Sequence, residues 1–301
     1  MILVTGAAGF VGSRIIARLA EQGEHPRALV RTITSARGRL PTDEVEIVVG
    51  DTTRPETLDA ALAGVETVIH CAFITANRKQ GPGVNYYDTN VTGTRNLVSA
   101  ARNAGVKRIS VMGGLGTRPA KPGSYMETRY EADQAVKQSG LAWSILGPSI
   151  QFGEGSAFFK GLADLIKGFP VIVPVVGSGN LKFQPIWVED VTTCILKMAQ
   201  EPEQYDGRVI EVGGPEIYTY NQILDLLMQT LHTKRIKVPG PKPFVKLGAA
   251  MMSAVLPKPP ITPAAVELFD FENATAIDSV ERNFGFVPMS LRAYLAEHGV
   301  S

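Results

Sequence analysis

The sequence predicts an α/β fold, a doubly wound parallel sheet with a smaller C-terminal α/β lobe, and three observations predict it. The chain opens on a short apolar and β-branched run, Ile2–Thr5. That run leads straight into glycines at 6, 9 and 12 and then into Ile15, Ile16 and Leu19 at helical spacing. Short β-branched runs then alternate with helical patterns as far as Pro148, which is the rhythm of parallel strands joined by crossover helices. Beyond Pro148 the alternation breaks down.

The elements follow in order. Strands are expected at Arg27–Arg31, Val45–Val49, Thr67–Cys71, Val106–Met112 and Leu141–Leu146. Helices are expected at Pro55–Leu62, Asn85–Ala104 and Tyr125–Ser139. In the later part, helices are expected at Phe158–Lys167, Asp190–Met198 and Tyr220–Leu231, and strands at Val171–Val176 and Val209–Val212. Carboxylates at Glu189 and Asp190 are explained as caps of their helix. Residues 1–150 form the expected core, with 183–213 returning to it, and 151–182 with 214–301 form the lobe.

Composition sets limits. The 301 residues, with 45% hydrophobic and 20% charged side chains, suffice for one large or two medium globular units. A net charge of +1 gives no field that would call for nucleic acid. Cys71 and Cys194 make no disulfide framework and read as reduced core residues. His25, His70, His232 and His298 show no metal-ligand spacing, and His70 reads as a core histidine. No apolar run reaches the roughly 20 residues that span a bilayer, so a cytoplasmic protein is expected.

The glycine stretch carries chemistry. Strand, glycine turn and helix in this order form a phosphate cradle. Gly6 allows the tight turn, Gly9 leaves room for a pyrophosphate, and Gly12 lets helix and strand approach. The helix N-terminus then offers free N–H groups and a favourable dipole to the anion. Phe10 and Val11 belong to the same turn, so dinucleotide binding is the expected function of this half. At the end of the second strand, where an acidic residue would hold the ribose hydroxyls of NAD, stands Arg31. Arg14 lies near the same place and Arg37 follows in the loop. A guanidinium pairs with a 2′-phosphate, so NADP(H) is favoured over NAD(H). Asp51 and Thr52 follow the third strand and Cys71, Ala72 and Phe73 the fourth, at the sheet edge where ligands bind. Asp51 either accepts from the adenine amino group or caps a turn. Pro148 completes the cofactor set, and Asn90 and Asn96 are expected to bond backbone from their helix.

The motifs Thr5-Gly-Ala-Ala-Gly-Phe-Val-Gly12, Gly50-Asp51, Asn90-Val-Thr-Gly-Thr-Arg-Asn96, Gly147-Pro148-Ser149, Phe183-Gln-Pro-Ile-Trp187-Val-Glu-Asp190 and Glu211-Val-Gly-Gly-Pro215 resemble those of the extended short-chain dehydrogenase/reductases, over nearly the whole chain. Within that family the chain is most similar to the atypical branch. That branch includes the NADPH-binding accessory subunit of complex I, and the NmrA-like redox sensors lie nearby. The resemblance implies a Rossmann core with a smaller lobe over the nicotinamide end. It also implies a catalytic Ser-Tyr-Lys set, with the lysine four residues after the tyrosine. Tyr125 stands at the tyrosine position, but Arg129 occupies the lysine position. The serine position falls at Gly113-Gly114, and Ser110 or Ser124 would be a substitute out of place. Two functions follow as expectations. One is an NADPH-binding protein whose cofactor is structural or sensory, associated with a membrane redox complex. The other is an active NADP-dependent oxidoreductase or nucleotide-sugar epimerase/dehydratase using Tyr125 and Arg129.

One stretch stands apart. Residues 244–256 are apolar almost all round and lie between Pro239, Pro241 and Pro243 on one side and Pro257, Pro259, Pro260 and Pro263 on the other. All-round apolar character points to a buried helix. The alternative is an exposed face that meets a membrane redox complex or a membrane surface. Met251 and Met252 would give it an adaptable surface, and Lys237, Lys242, Lys246 and Lys258 would face anionic headgroups. Peripheral membrane attachment is therefore expected if that face is exposed.

Overall fold

Of the three glycines after the first strand, Gly9 and Gly12 are both required by a single atom, the carbonyl oxygen of Gly6. The computed structural model describes residues 1–41, 43–81, 84–256, 259 and 261–300. In it β1 (Ile2–Thr5) ends at Gly6, whose φ of +65° only glycine adopts without strain, and α1 (Gly12–Glu21) begins six residues later. A Cβ on Gly12 would lie 2.2 Å from the Gly6 carbonyl oxygen, and one on Gly9 would lie 2.9 Å from it. The Gly9 N–H donates to that oxygen at 2.8 Å and closes the turn. Helix α1 then buries Ile15, Ile16 and Leu19.

The chain continues as β2 (Arg27–Val30), the single turn α2 (Ile33–Ala36), β3 (Glu46–Val49), a 3-10 turn leading into α3 (Leu58–Leu62), and β4 (Thr67–His70). A π-helical turn, Tyr87–Thr92, opens α4 (Gly93–Asn103). After it come β5 (Arg108–Met112), α5 (Tyr125–Lys137) and β6 (Ala142–Pro148). Next are β7 (Gln151–Phe152), α6 (Ala157–Gly168), β8 (Ile172–Val176), β9 (Lys182–Phe183) and β10 (Ile186–Trp187). Then follow α7 (Val188–Gln200), α8 (Pro202–Tyr205), β11 (Arg208–Val212), β12 (Tyr218–Thr219) and α9 (Tyr220–Thr230). The chain ends through β13 (Ile236–Gly240), α10 (Lys242–Val255), α11 (Pro263–Glu267), α12 (Ser279–Phe284) and α13 (Leu291–His298).

Two units result. The first comprises Met1–Ile74, Gly81–Gly147 and Val191–Ile210, and the second Thr75–Gln80, Pro148–Asp190 and Glu211–Ser301. A seven-stranded sheet of order β11-β6-β5-β4-β1-β2-β3 organises the first, and β1 pairs in parallel with both β2 and β4. The remaining neighbours from β3 to β6 are parallel too. β11 runs the same way as β6, since Gly207 N–H donates to Trp143 O and Ser149 N–H to Val212 O. The expected return of 209–212 to the sheet is therefore present. The second unit has its own core, in which Phe152, Phe159, Phe183, Tyr220, Phe269 and Tyr294 interlock around α6 and α9.

A buried polar chain holds the first unit's ligand edge together. Thr5 Oγ1 donates to His70 Nδ1 at 2.7 Å, and His70 Nε2 donates to Thr94 Oγ1 at 3.0 Å. Thr94 in turn donates to Asn90 O at 2.6 Å, and this fixes the tautomer. The Asn90 amide bonds both backbone groups of Ile74 and donates to Thr128 Oγ1, which itself donates to Tyr125 O. The predicted uninterrupted helix 85–104 gives way here. Asn90 faces Ile74 from the wider π turn, and Gly93 brings α4 so close that a Cβ would lie 2.7 Å from Thr52 Oγ1. Replacing Asn90 by Ala orphans the buried Ile74 N–H. We expect a loss of about 1–3 kcal/mol in urea unfolding, with the nucleotide affinity falling as the 72–74 loop loosens.

Candidate functional site

In open parallel sheets ligands bind beyond the strand C-termini where the strand order reverses, which here is between β1 and β4. The residues gathered at that edge of the first unit are the glycine turn, the 71–74 loop after β4, and Tyr125 with Arg129 on α5. At the start of α1 no side chain caps the helix, and Gly9 is exposed. Free N–H groups at a helix N-terminus receive an anion.

Arg129 is the unusual feature. It is buried, its Nη2 donates to Met112 O at 2.5 Å, and its guanidinium lies 3.6 Å from the Phe73 ring centroid. Phe73 also packs on His70, with centroids 4.3 Å apart. Four residues further along α5 stands Asp133, also buried. Arg129 Nε and Asp133 Oδ1 have no hydrogen-bond partner among the described residues. Burial pushes the Asp133 carboxyl up to about 6, against the pull of Arg129 and Lys137. Burial also raises the Tyr125 phenol; Arg129 opposes that shift and Asp133 adds to it. Tyr125 is half-buried and packs edge-on against Tyr86 at 5.5 Å. His70 is driven down to about 3, first by burial and then by Arg129, so it is a neutral core histidine, as expected. Cys71 is only half-buried rather than a core residue, because it lies on the loop past the end of β4. Burial of its thiol, opposed by Arg129, pushes it up to about 12. Cys194 is buried.

The remaining predicted residues are placed as follows. Asp51 Oδ1 accepts from Thr53 N and Thr53 Oγ1, both at 2.9 Å, so Asp51 caps its turn. Thr52 is buried, and its carbonyl accepts from Asn96 Nδ2 at 3.0 Å. Arg14 Nη1 donates to Phe10 O at 2.6 Å, and its guanidinium lies 4.9 Å from the Phe10 ring, so it braces the turn. Val11 is buried and Ala72 half-buried. Arg31 is exposed at the end of β2, next to Thr32, whose side chain caps α2. Pro148 closes β6 and belongs to the second unit.

Three corrections concern hydroxyls and carboxylates. Ser124 caps α5, its hydroxyl oxygen accepting from Glu127 N, a role the sequence reading did not give it. Ser110 is paired with Ser144 inside the sheet. Asp190 accepts from Met289 N at 2.8 Å, which ties the C-terminal segment rather than only serving its helix. The two glycines at the serine position differ. A Cβ on Gly113 would lie 2.8 Å from Leu146 O, whereas on Gly114 the nearest atom is Thr117 Oγ1 at 3.6 Å. Two residues escaped the sequence reading. Arg39 Nη1 donates to Ala8 O at 3.0 Å, across 31 positions, and Asp133 is visible only as a carboxylate four residues after Arg129.

Comparison with known proteins agrees with this geometry. A family described as NAD(P)H-binding matches residues 6–154. The NAD(P)H azoreductase of Xenophilus azovorans is 34% identical, over 72% of this chain and 68% of that protein. The chain belongs to the NAD(P)-binding short-chain dehydrogenase/reductases, in the atypical extended group. A further relative is "NADH dehydrogenase [ubiquinone] 1 alpha subcomplex subunit 9, mitochondrial" of Arabidopsis thaliana, 22% identical over 98% of this chain and 76% of that one. The dTDP-glucose 4,6-dehydratase DesIV of Streptomyces venezuelae, solved with NAD, superimposes with a TM-score of 0.72 at 20% identity, over 98% of this chain and 94% of that one. That likeness shows the extended short-chain dehydrogenase/reductase fold.

The two buried groups give opposite pH signatures. His70 has a lowered value, so its contribution is present above pH 6.5 and is lost as pH falls toward 3; by pH 4 the loss is about 3 kcal/mol. Asp133 has a raised value, so its contribution is present below the ordinary carboxylate range and is lost as pH rises through 6. Urea unfolding between pH 4 and 8 should show His70→Asn less acid-sensitive than the parent. Asp133→Asn should gain stability relative to the parent as pH rises through 6. Parallel curves for all three proteins would contradict both assignments.

Proposed function

We propose that this family member binds NADPH as a structural or sensory cofactor and does not turn it over through the Ser-Tyr-Lys chemistry of its catalytic relatives. The observation that carries the reading is Arg129. The group at the lysine position is a guanidinium committed to Met112 O and stacked on Phe73. A planar fork held in that way does not reproduce a mobile ammonium four residues after a tyrosine. The crowding at Gly113 supports the same reading, since that position has no room for a serine.

In this reading Gly6, Gly9, Phe10, Val11 and Gly12 receive the pyrophosphate, and Thr52, Cys71, Ala72 and Phe73 line the cofactor. Asp51 keeps its turn in place, with Arg14 bracing the glycine loop. NADPH is preferred because Arg31 is exposed where a 2′-phosphate would lie. A bound dinucleotide supplies a hydride donor; the chain's own residues hold its phosphates and shield the nicotinamide end. The partner in this reading is a membrane redox complex or a membrane surface engaged through 244–256. The respiratory-subunit relative supports it.

A second reading is an active NADP-dependent oxidoreductase or nucleotide-sugar epimerase/dehydratase using Tyr125 and Arg129. It is favoured by the Thr117 hydroxyl, which lies beside the space at Gly114 where a serine side chain would project. It is also favoured by the activity of the azoreductase relative.

Isothermal titration should give NADPH at least tenfold tighter binding than NADH, the worth of about 1.4 kcal/mol from one guanidinium–phosphate pair. Arg31→Asp should erase or reverse that gap, and equal wild-type affinities would refute the preference. Tyr125→Phe should leave NADPH affinity and any cellular role nearly unchanged. A reductase or epimerase activity that disappears in Tyr125→Phe would establish the second reading instead. Gly114→Ser combined with Arg129→Lys should create measurable NADPH oxidation if only the triad is missing.

A further inference from the structure

The segment expected to be a buried helix is not buried. Of α10, only Ala249 is fully covered. Phe244, Leu247, Met251 and Val255 are 72%, 60%, 64% and 81% exposed, and their spacing of three, four and four residues sets them on one stripe. Ala250 and Ala254 are exposed with them, whereas Met252 turns half inward. Monomeric proteins seldom leave so long an apolar stripe in water without a use for it.

The surroundings of the stripe say what covers it. From 226 to 266 the chain carries Lys234, Arg235, Lys237, Lys242, Lys246 and Lys258 and no carboxylate side chain. Lys258, with Pro257 and Pro260, lies outside the described residues. Three of these cations are not free, which corrects the expectation that all face headgroups. Lys237 pairs with Asp225 at 2.7 Å, Lys242 with Asp270 at 2.8 Å and Lys246 with Glu267 at 2.6 Å. Lys234 is exposed and has no carboxylate partner among the described residues. Arg235 donates only to the Ile166, Phe169 and Lys234 carbonyls and the Thr233 hydroxyl. Along the sequence, the segment 226–266 therefore keeps a positive balance with the apolar stripe at its centre.

That centre carries no side chain able to hydrogen-bond among Phe244, Leu247, Ala250, Met251, Ala254 and Val255. A protein partner's interface normally supplies about one hydrogen bond per 100–200 Å², whereas acyl chains require none. Lys242–Val255 is 14 residues, about 21 Å at helical rise, and no helix among the described residues is long and apolar enough to cross a membrane. The geometry suits a helix lying in the plane of the interface.

We propose that α10 is a monotopic anchor. Its Phe244–Leu247–Met251–Val255 stripe inserts into the acyl boundary of an anionic bilayer, and Lys234, earlier in the same basic segment, meets the headgroups. The proposal extends the partner half of the function above and commits it to lipid. It does not depend on the cofactor reading.

The test is flotation of the full chain with vesicles of phosphatidylcholine alone or of phosphatidylcholine and phosphatidylglycerol in equal parts. NADPH binding is measured on the same samples. The wild type should float with the anionic vesicles, at least tenfold more than with neutral ones, and less at high salt. Leu247→Glu/Met251→Glu should abolish flotation, and Lys234→Glu should weaken it severalfold. Both variants should bind NADPH as the wild type does, since the changed side chains belong to the second unit's surface. A wild type that stays in solution with either vesicle overturns the proposal. So does flotation unaffected by Leu247→Glu/Met251→Glu. Concentration-dependent self-association without flotation, removed by the same variant, would assign the stripe to a second copy of the chain and overturn it as well. Loss of NADPH binding in the wild type itself would refute the cofactor reading and leave the vesicle result standing.

Discussion

The Gly6 carbonyl oxygen is the constraint on which the nucleotide-binding half rests. It accepts the Gly9 N–H that closes the turn, and it sits where side chains at positions 9 and 12 would have to be. Gly6 itself cannot carry one, since a Cβ there would lie 2.6 Å from the Cys71 carbonyl. One peptide unit thus brings β1, the start of α1 and the loop after β4 together. The glycine spacing usually explained by the needs of a pyrophosphate is, in this chain, already required by backbone packing before any ligand arrives. Room for the anion at Gly9 comes as a consequence of that packing.

From the same strand the buried Thr5–His70–Thr94–Asn90–Thr128 chain reaches Tyr125. Each hydroxyl in it both gives and receives, so the members specify one another's orientation. His70 can serve in that chain only while neutral, and its burial next to Arg129 keeps it so. The chain therefore couples the end of β1, next to the glycine turn, to α5 and its Tyr125.

Much of this was legible in the sequence. The β1–α1 junction, the alternation to Pro148 and the return of 209–212 follow from periodicity and glycine spacing, which are local properties. So is the backbone role of Asn90 and Asn96. The second unit was less legible because its strands β7, β9, β10 and β12 have two residues each, too few to show an alternation. β13 carries Pro239 and pairs with β8, and a proline inside a run argues against a strand unless it lies at an edge. The exposure of α10 was hidden for a different reason. An apolar sequence states that water is unfavourable, not which surface replaces it, and only the placement of Ala249 against the exposed stripe separates core from interface. In the site, Arg129 was visible but its stacking on Phe73 was not, because that contact spans 56 positions.

Arginine in place of lysine has a consequence that bears on which function the fold retains. An ammonium loses its proton readily when buried, and that lability is what lets a lysine take part in proton transfer. A guanidinium has no such lability. Its charge is held by a carbonyl, an aromatic face and the nearby Asp133 rather than by water. Such a group lowers the Tyr125 phenol against the effect of burial without itself exchanging a proton. Helix α5 thus keeps a buried positive charge against Phe73 and near Tyr125. It is on this single side chain that the two proposed readings divide.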